Sequence, residues 1–509
     1  MCSADAFYVT TPIYYVNDVP HIGHAYTTLA CDTIARFARL DGRRVWFLTG
    51  TDEHGQKVEK AAAAAGLEPQ AFTDQVSARF RELAKRMDIS CDDFIRTTEA
   101  RHKSGVQALW RELRRRDQIY LGTYAGWYSV RDESFYAESE LVDGLAPTGA
   151  PVEWVEEPSY FFRLADWQEP LLRFYDQHPD FVLPAARRNE VISFVKGGLL
   201  DLSVSRTSFR WGIPVPDDPD HVIYVWLDAL TNYMTALGYP DTGGEQFKSF
   251  WPAEVHVVGK DILRFHAVYW PAFLLAAGLE PPRRIFAHGW WTNEGQKISK
   301  SLGNVIDPLQ LIEQYGLDQT RYFLLREVPF GNDGDFSRAA MINRMNRDLA
   351  NDYGNLVQRV LALIQRNCGG RLPEPGANTA SDRGLLEASA SLLDQVRAAM
   401  EVQALSRALE AIFELIGAAN RYVDAEAPWT LRRTDPARMA TVLYALAETI
   451  RRLALLTQAF MPEASARILD QLGVGEESRR LEHYRDPAAA LRSGTLLPKP
   501  AGVFPRFVE

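Results

Sequence analysis

Phe7-Tyr8-Val9-Thr10-Thr11-Pro12-Ile13-Tyr14-Tyr15 is a run of β-branched and aromatic residues interrupted by Pro12. Past a turn marked by Asn17, Asp18 and Pro20 comes His21-Ile22-Gly23-His24. From Ala25 to Leu40, Ala30, Ile34, Phe37 and Ala38 fall at helical spacing, so the stretch reads strand, turn, helix. The pattern then repeats. Val45-Trp46-Phe47-Leu48-Thr49 is a short apolar strand running into Gly50-Thr51-Asp52-Glu53-His54-Gly55, and Gln56 to Ala65 is helical. This alternation predicts a doubly wound parallel sheet, in which ligands gather at the carboxyl ends of strands. The histidine pair and Asp52 both stand at such ends.

Those ends carry a chemistry. A helix N-terminus favours anionic phosphate, Gly23 lets backbone lie flat against a base, and two imidazoles can donate hydrogen bonds to phosphate oxygens. The plain alternative is a surface turn with two incidental histidines. Much later, Lys297-Ile298-Ser299-Lys300-Ser301 lies between Gly289, Asn293 and Gly295 on one side and Gly303 and Asn304 on the other. Two lysines in so turn-rich a loop can close over a triphosphate, although lysines in loops are also ordinary solvated surface. Together the two stretches read as an ATP site at which the α-phosphate is attacked.

The 509 residues allow three or four compact units, and 46% hydrophobic with 24% charged residues is ordinary for globular protein. No apolar run reaches membrane-spanning length. Asp5 and Pro12 stand where a secretory leader needs a basic start and an apolar centre, so a cytoplasmic protein without a membrane partner is expected. A net charge of -10 argues against indiscriminate coating of nucleic acid. Arginines cluster at Arg111, Arg114 to Arg116, Arg187-Arg188, Arg283-Arg284, Arg432-Arg433 and Arg451-Arg452, either as a positive track for RNA or as solvated helix faces. Cys2, Cys31, Cys91 and Cys368 share no close metal-ligand spacing, so neither a disulfide framework nor a metal site is expected.

Between about Asp117 and His221 short aromatic segments, such as Gly126-Trp127-Tyr128-Ser129-Val130 and Ser159-Tyr160-Phe161-Phe162, read as an inserted mixed α/β module. Strands resume at Val222-Ile223-Tyr224-Val225-Trp226, at Val255-His256-Val257-Val258-Gly259 and at Arg284 to Ala287. From Met341 the chain is helical. One apolar stripe holds Leu349, Leu356, Val360, Leu363 and Ile364; another holds Leu443, Leu446, Ile450, Leu453 and Leu455, with Pro462 ending that helix. Pro498, Pro500 and Pro505 predict an extended tail packed on another domain. The expected fold class is α/β: a split Rossmann-like parallel sheet (1–117 and 222–290) around an inserted α/β connective module (118–221). A lysine-loop region (291–345) and an all-α helical bundle (346–509) follow.

In order and spacing, the histidine and lysine motifs resemble the signatures of class I aminoacyl-tRNA synthetases. Thr11 to Asn17, Gly50 to Gly55, Val225-Trp226-Leu227-Asp228-Ala229-Leu230, Gly259-Lys260-Asp261-Ile262 and Ala427-Pro428-Trp429 are similar to the methionyl-tRNA synthetase family, nearly end to end. The resemblance implies a ligase that makes methionyl-adenylate and pyrophosphate from L-methionine and ATP, then esterifies the 3′-terminal adenosine of tRNA(Met), initiator and elongator alike. It implies Asp52 for the substrate ammonium, although that carboxylate could instead cap the following helix. Ile13, Tyr15, Trp226, Ala229, Leu230, Tyr233, Ile262 and His266 are implied around the thioether, a weak acceptor that asks for aromatic walls and one donor; otherwise they are core. ATP falls to His21, Gly23, His24, Asp261, Lys297, Ile298, Ser299 and Lys300, with Mg2+ carried on the triphosphate. Catalysis falls to His21, His24, Lys297, Lys300 and Arg206, the last of which could also be a surface salt bridge. Residues 291–345 are implied at the tRNA stem. Asn355 and Arg359, on one helical face, and Trp429 are implied at the anticodon, though Trp429 alone would be a packing anchor.

Where many members of the family carry Cys-x-x-Cys pairs, this chain has Ser129-Val130-Arg131-Asp132 and Ala146-Pro147-Thr148-Gly149, which implies a knuckle without structural zinc. The chain stops at Glu509, without the family's added dimerising domain, which implies a monomer. The leucine, isoleucine and valine enzymes of the class carry a much larger editing insertion, and the cysteine enzyme needs zinc thiolates. A non-catalytic RNA-binding scaffold is the rival from another class, opposed by intact His21, His24, Lys297 and Lys300.

Overall fold

A computed structural model of the chain describes residues 5–16, 19–132, 134–136, 138–298 and 303–508. The turn residues Asn17 and Asp18, and Ser299, Lys300 and Ser301 of the lysine stretch, lie outside them. The chain divides into two compact units, Met1–Pro20 with Val45–His288, and His21–Arg44 with Gly289–Glu509.

The first unit is built on a seven-stranded sheet of β1 (Ala6–Thr10), β2 (Tyr14–Tyr15), β3 (Arg44–Asp52), β4 (Asp93–Arg96), β5 (Val182–Leu183), β6 (Val255–Gly259) and β7 (Ile285–His288). Their order is β2-β3-β1-β6-β7-β5, with β4 also on β3. The pairs β1–β6, β6–β7, β7–β5, β2–β3 and β3–β4 run parallel. β1 and β7 are buried at every position, which is why they read as unbroken apolar runs rather than alternating ones. Segment 118–221 does more than insert a module, since its Val182–Leu183 completes this sheet at one edge.

The rest of that segment forms a four-stranded antiparallel sheet around a long pair, Ile119–Ser129 against Glu153–Phe162, and a three-stranded one of Ser205–Arg206, Asp218–Ile223 and Pro214–Val215. At the knuckle, Asp132 accepts hydrogen bonds from the Thr148 and Tyr136 hydroxyls, and Arg131 donates to the Thr148 carbonyl (2.7 Å). Val222 to Trp226, expected as a strand of the main sheet, divides differently. Val222-Ile223 end the antiparallel strand Asp218–Ile223, and Val225 opens the helix Val225–Thr235. That helix is buried on nearly every side, and an all-round apolar segment cannot be told from a strand by periodicity.

In the second unit the helix Ile22–Leu40, expected with the first half of the sheet domain, packs on the helix Leu317–Arg326. Two ion pairs fix it. Asp32 and Arg321, both fully buried, meet at 2.7 Å, and Arg321 also donates to the carbonyls of Phe460 (2.9 Å) and Ala459 (3.2 Å). At the far end Asp41 takes a forked hydrogen bond from Arg397 of the helix Ala380–Glu401.

The bundle contains the helices Asn355–Asn367, Ala380–Glu401, Leu405–Glu426, Pro436–Thr457 and Pro462–Gln471. Both expected stripes are buried, apart from a half-buried Leu363. Pro462 does not end the second stripe's helix, which stops at Thr457. It stands at the first turn of the next helix, where its missing N–H costs nothing. The tail packs within its own unit: Ala501 N–H donates to Gln471 (2.7 Å), Phe504 lies against Tyr353, and Asn346 brackets the backbone of Phe507.

Candidate active site

Two sets of polar groups stand out, one in each unit. In the first, Asp52 ends β3 in register with Tyr15 and is 7% exposed. It does not cap the following helix, whose N-cap is Gly55 with no side-chain bond. The loop it opens is held from several sides. Glu53 receives Arg96 (Nε 2.6 Å, Nη2 2.9 Å) and the Thr51 hydroxyl (2.8 Å). Trp211 donates its indole N–H to the Glu53 carbonyl (2.5 Å) and accepts from Gly55 N–H (3.0 Å).

Ala229, Leu230, Tyr233 and His266 are buried close by in the core that Ile13, Tyr15, Trp226 and Ile262 pack against. His266 Nδ1 bonds the Ile262 carbonyl (2.9 Å) and so carries the proton; Nε2 is then the acceptor for the Tyr233 hydroxyl (2.7 Å). Burial pushes the His266 imidazole down to about 4, which keeps it neutral. Trp226 lies flat on Phe265 (3.7 Å, 7°), and its buried indole N–H has no hydrogen-bond partner among the described residues. Tyr15, in register with Asp52, packs on the same core as Trp226 and so links this aromatic group to the carboxylate.

Arg206 is 2% exposed, so it is no surface salt bridge. It donates to Ser203 Oγ (2.9 Å) and the Ser205 carbonyl, and its guanidinium lies over the rings of Tyr224 (4.6 Å) and Tyr128 (5.4 Å). Asp261 is exposed just past the carboxyl end of β6. A side chain on Gly259 would come within 2.5 Å of its Oδ1, so glycine there leaves room for that carboxylate.

In the second unit His21 caps the helix Ile22–Leu40, an unusual residue for the post. Gly23 N–H donates to His21 Nδ1 (3.1 Å) and His21 N–H to His24 Nδ1 (3.2 Å), a reciprocal capping box. Because both Nδ1 atoms accept, each neutral ring carries its proton on Nε2, the nitrogen remote from the backbone. Burial and the neighbouring His21 hold the His24 imidazole well below the ordinary histidine range. A Cβ on Gly23 would approach the His21 ring to 3.0 Å, a local reason for glycine beside the expected one.

The same helix meets the lysine segment. Ile22 N–H donates to the Ile306 carbonyl (3.2 Å), and Tyr26 packs edge-on to Trp291 (5.4 Å). Lys297, exposed, ends a hairpin of Trp291–Asn293 and Gln296–Lys297, with Ile298 half-buried beyond it. Asn293 donates to the Asn304 carbonyl (2.9 Å) and Asn304 to the Lys297 carbonyl (3.1 Å), which clasps the two roots of the loop. Ser299 and Lys300 are outside the described residues. Elsewhere in this unit Asn355 is exposed, Trp429 is 47% exposed rather than a packing anchor, and the Arg359 guanidinium sits 5.2 Å over the indole while bonded to Asp424.

Sequence reading named neither Trp211 nor Ile306, and gave His54, His102, Asp228 and Arg321 no role. The signal for one of them was a charged residue inside an otherwise apolar run, Asp228 between Leu227 and Ala229.

Residues 7–151 and 146–361 match the family model described as tRNA synthetases class I (M), and 372–509 match that of the anticodon binding domain of methionyl tRNA ligase. The methionine--tRNA ligase of Rickettsia bellii is 58% identical over 99% of this chain and 100% of its own, and that of Mesorhizobium japonicum 55% over 100% and 99%. The structure of Mycobacterium tuberculosis methionyl-tRNA synthetase in complex with methionyl-adenylate superposes with a TM-score of 0.96 at 53% identity, covering 99% of this chain and 100% of that one. The free-state structure from the same organism gives 0.91 at 49%, covering 100% and 99%.

Proposed function

From the premise that this chain belongs to the class I (M) family of tRNA synthetases, we propose that it is an ATP-dependent ligase that charges tRNA(Met), initiator and elongator, with L-methionine. The observation that carries the reading is the bond from Ile22 to Ile306. Through it the first turn of the histidine-capped helix and the segment leaving the lysine loop form one structure.

In the first step a methionine carboxylate oxygen attacks the α-phosphorus of ATP; a new P–O bond forms and the bond to pyrophosphate breaks. Asp52 binds the ammonium as an ionic acceptor, and the wall of Ile13, Tyr15, Trp226, Ala229, Leu230, Tyr233, Ile262 and His266 surrounds the thioether. With the Tyr233 hydroxyl proton committed to His266, the Trp226 indole N–H, without a partner among the described residues, is left as the donor for the thioether. Arg206 positions the reacting carboxylate, Gly23 and Asp261 meet the nucleoside, and His21 and His24 donate Nε2–H to phosphate oxygens as charge builds there. Lys297 and Lys300, with Ile298 and Ser299, attend the leaving pyrophosphate. Mg2+ would come with ATP and take most of its ligands from the nucleotide and water. In the second step the terminal ribose hydroxyl attacks the adenylate carbonyl and AMP leaves. Asn355, Arg359 and Trp429 read splayed anticodon bases by hydrogen bonding and stacking.

We take the molecule to act as a cytoplasmic monomer with a zinc-free knuckle and with the stem of tRNA on residues 291–345. ATP–pyrophosphate exchange with methionine, leucine and cysteine tests the reading. Exchange with methionine far above the other two is expected; exchange with none, or a preference for leucine or cysteine, overturns it.

A further inference from the structure

His54, one residue past Glu53 in the Asp52 loop, is 3% exposed and donates Nδ1–H to Asp228 Oδ2 at 2.7 Å. Asp228 is fully buried on the helix Val225–Thr235, whose Trp226, Ala229, Leu230 and Tyr233 form the expected thioether wall. Its other oxygen receives His102 Nε2–H, also at 2.7 Å, and His102 Nδ1 bonds Thr235 Oγ1 (2.9 Å) one helical stretch further along. The approach is close by construction: a Cβ on Gly105, one turn past His102, would lie 2.2 Å from Thr235 Cγ2. Burial alone would raise the Asp228 carboxyl, but the two imidazoles more than reverse this and bring it down to about 2. Both carboxylate oxygens are thereby assigned, and the carboxylate cannot rotate without breaking a charge-assisted bond.

We propose that His54, Asp228 and His102 form a positioning triad that sets the ammonium-binding loop at a fixed distance from the thioether wall, and so measures the length of the amino-acid substrate. The inference rests on the methionine reading of the site. None of the three touches the substrate. They act through Asp52 at one end and through the helix of Trp226 and Tyr233 at the other, because one hydrogen-bonded carboxylate ties the loop to the helix. ATP contacts lie elsewhere, so displacement of this tie should be felt by methionine and not by nucleotide.

The stereochemistry supplies its own controls. An asparagine amide nitrogen stands where histidine has Nδ1, and a glutamine amide nitrogen where it has Nε2. His54→Asn and His102→Gln therefore keep the donor, whereas His54→Gln and His102→Asn move it. In methionine-dependent ATP–pyrophosphate exchange, His54→Gln and His102→Asn should raise the methionine KM about tenfold, with kcat and the ATP KM within about twofold of wild type. His54→Asn and His102→Gln should stay near wild type. Thr235→Val keeps the side chain's shape and removes the outer anchor of His102 together with the hydroxyl's bond to the Asn232 carbonyl (3.2 Å); it should fold normally and give a smaller selective rise of about threefold. A merely structural role would lower kcat or raise both KM values together. That outcome, or an unchanged methionine KM in Thr235→Val and in whichever displaced-donor variant folds, overturns the triad while leaving the methionine reading intact. A wild-type protein without methionine-dependent exchange would overturn that reading and the triad with it.

Discussion

Each unit is tied internally by a buried ionic node, and the two nodes are built from opposite materials. In the first unit the central group is an anion, Asp228, held by the imidazoles of His54 and His102. In the second unit it is a cation, Arg321, whose charge is permanent and whose partners are Asp32 and two backbone carbonyls. In the first a carboxylate is shared by two rings, and in the second a guanidinium is shared by a carboxylate and the backbone, so no single partner carries either node.

The largest effect should come from the permanent node. Arg321→Met leaves buried Asp32 paired with Arg36 (2.8 Å) but without its fully buried partner, and should cost about 3 kcal/mol in denaturant unfolding, more than any single change at the pocket node. Pairing it with Asp32→Leu should recover much of that loss, since an apolar pair of similar volume is tolerated where half an ion pair is not.

Next comes the phosphate end itself. If the histidines act as neutral N–H donors, His24→Ala should lower kcat for adenylate formation about 100-fold or more. His24→Gln, with an amide donor in reach, should recover part of it, and His24→Lys, which restores charge but not geometry, should not. Single-turnover adenylate formation distinguishes the three.

Acid should weaken the fold without mutation, through buried histidines outside both nodes. An unfolded histidine takes up its proton near 6.5, whereas folded His266 waits until about 4 and His24 and His256 are likewise depressed by burial. Their stabilising contribution is complete above pH 6.5 and is lost as pH falls toward 4, about 3 kcal/mol for His266 alone. Denaturant melts between pH 7.5 and 4.5 should show this fall, and Arg321→Met should shift the curve down without changing its slope. The smallest effect is expected at the exposed face: Trp429→Ala should slow tRNA charging about tenfold through lost stacking and leave pyrophosphate exchange unchanged.

Much of this was legible in the sequence, for identifiable reasons. The period switch from Phe7–Tyr15 to Ala25–Leu40 marks a strand and a helix that the structure has, because each segment obeys one period, although the helix lies in the second unit. Val225 and Trp226, which open the helix Val225–Thr235, read as the end of a strand because burial on all sides erases that helix's period. Both nodes were hidden for another reason. His54 and Asp228 stand 174 residues apart, and Arg321 and Asp32 289 apart, so the residue types are visible in the sequence but their pairing is not. Arg44 and Val45 are adjacent in one strand, yet the cut between the two units falls between them, and no change of composition marks it.

The helix Ile22–Leu40 is a rod of roughly 28 Å. Its tip bears the imidazoles, its waist is riveted by Arg321, and its butt is gripped by Arg397 from the helix Ala380–Glu401 of the bundle. A strut fastened at two points along its length translates as a whole instead of bending, so strain arriving at the bundle would be delivered to His21 and His24 as a shift in position, with no messenger residue between them.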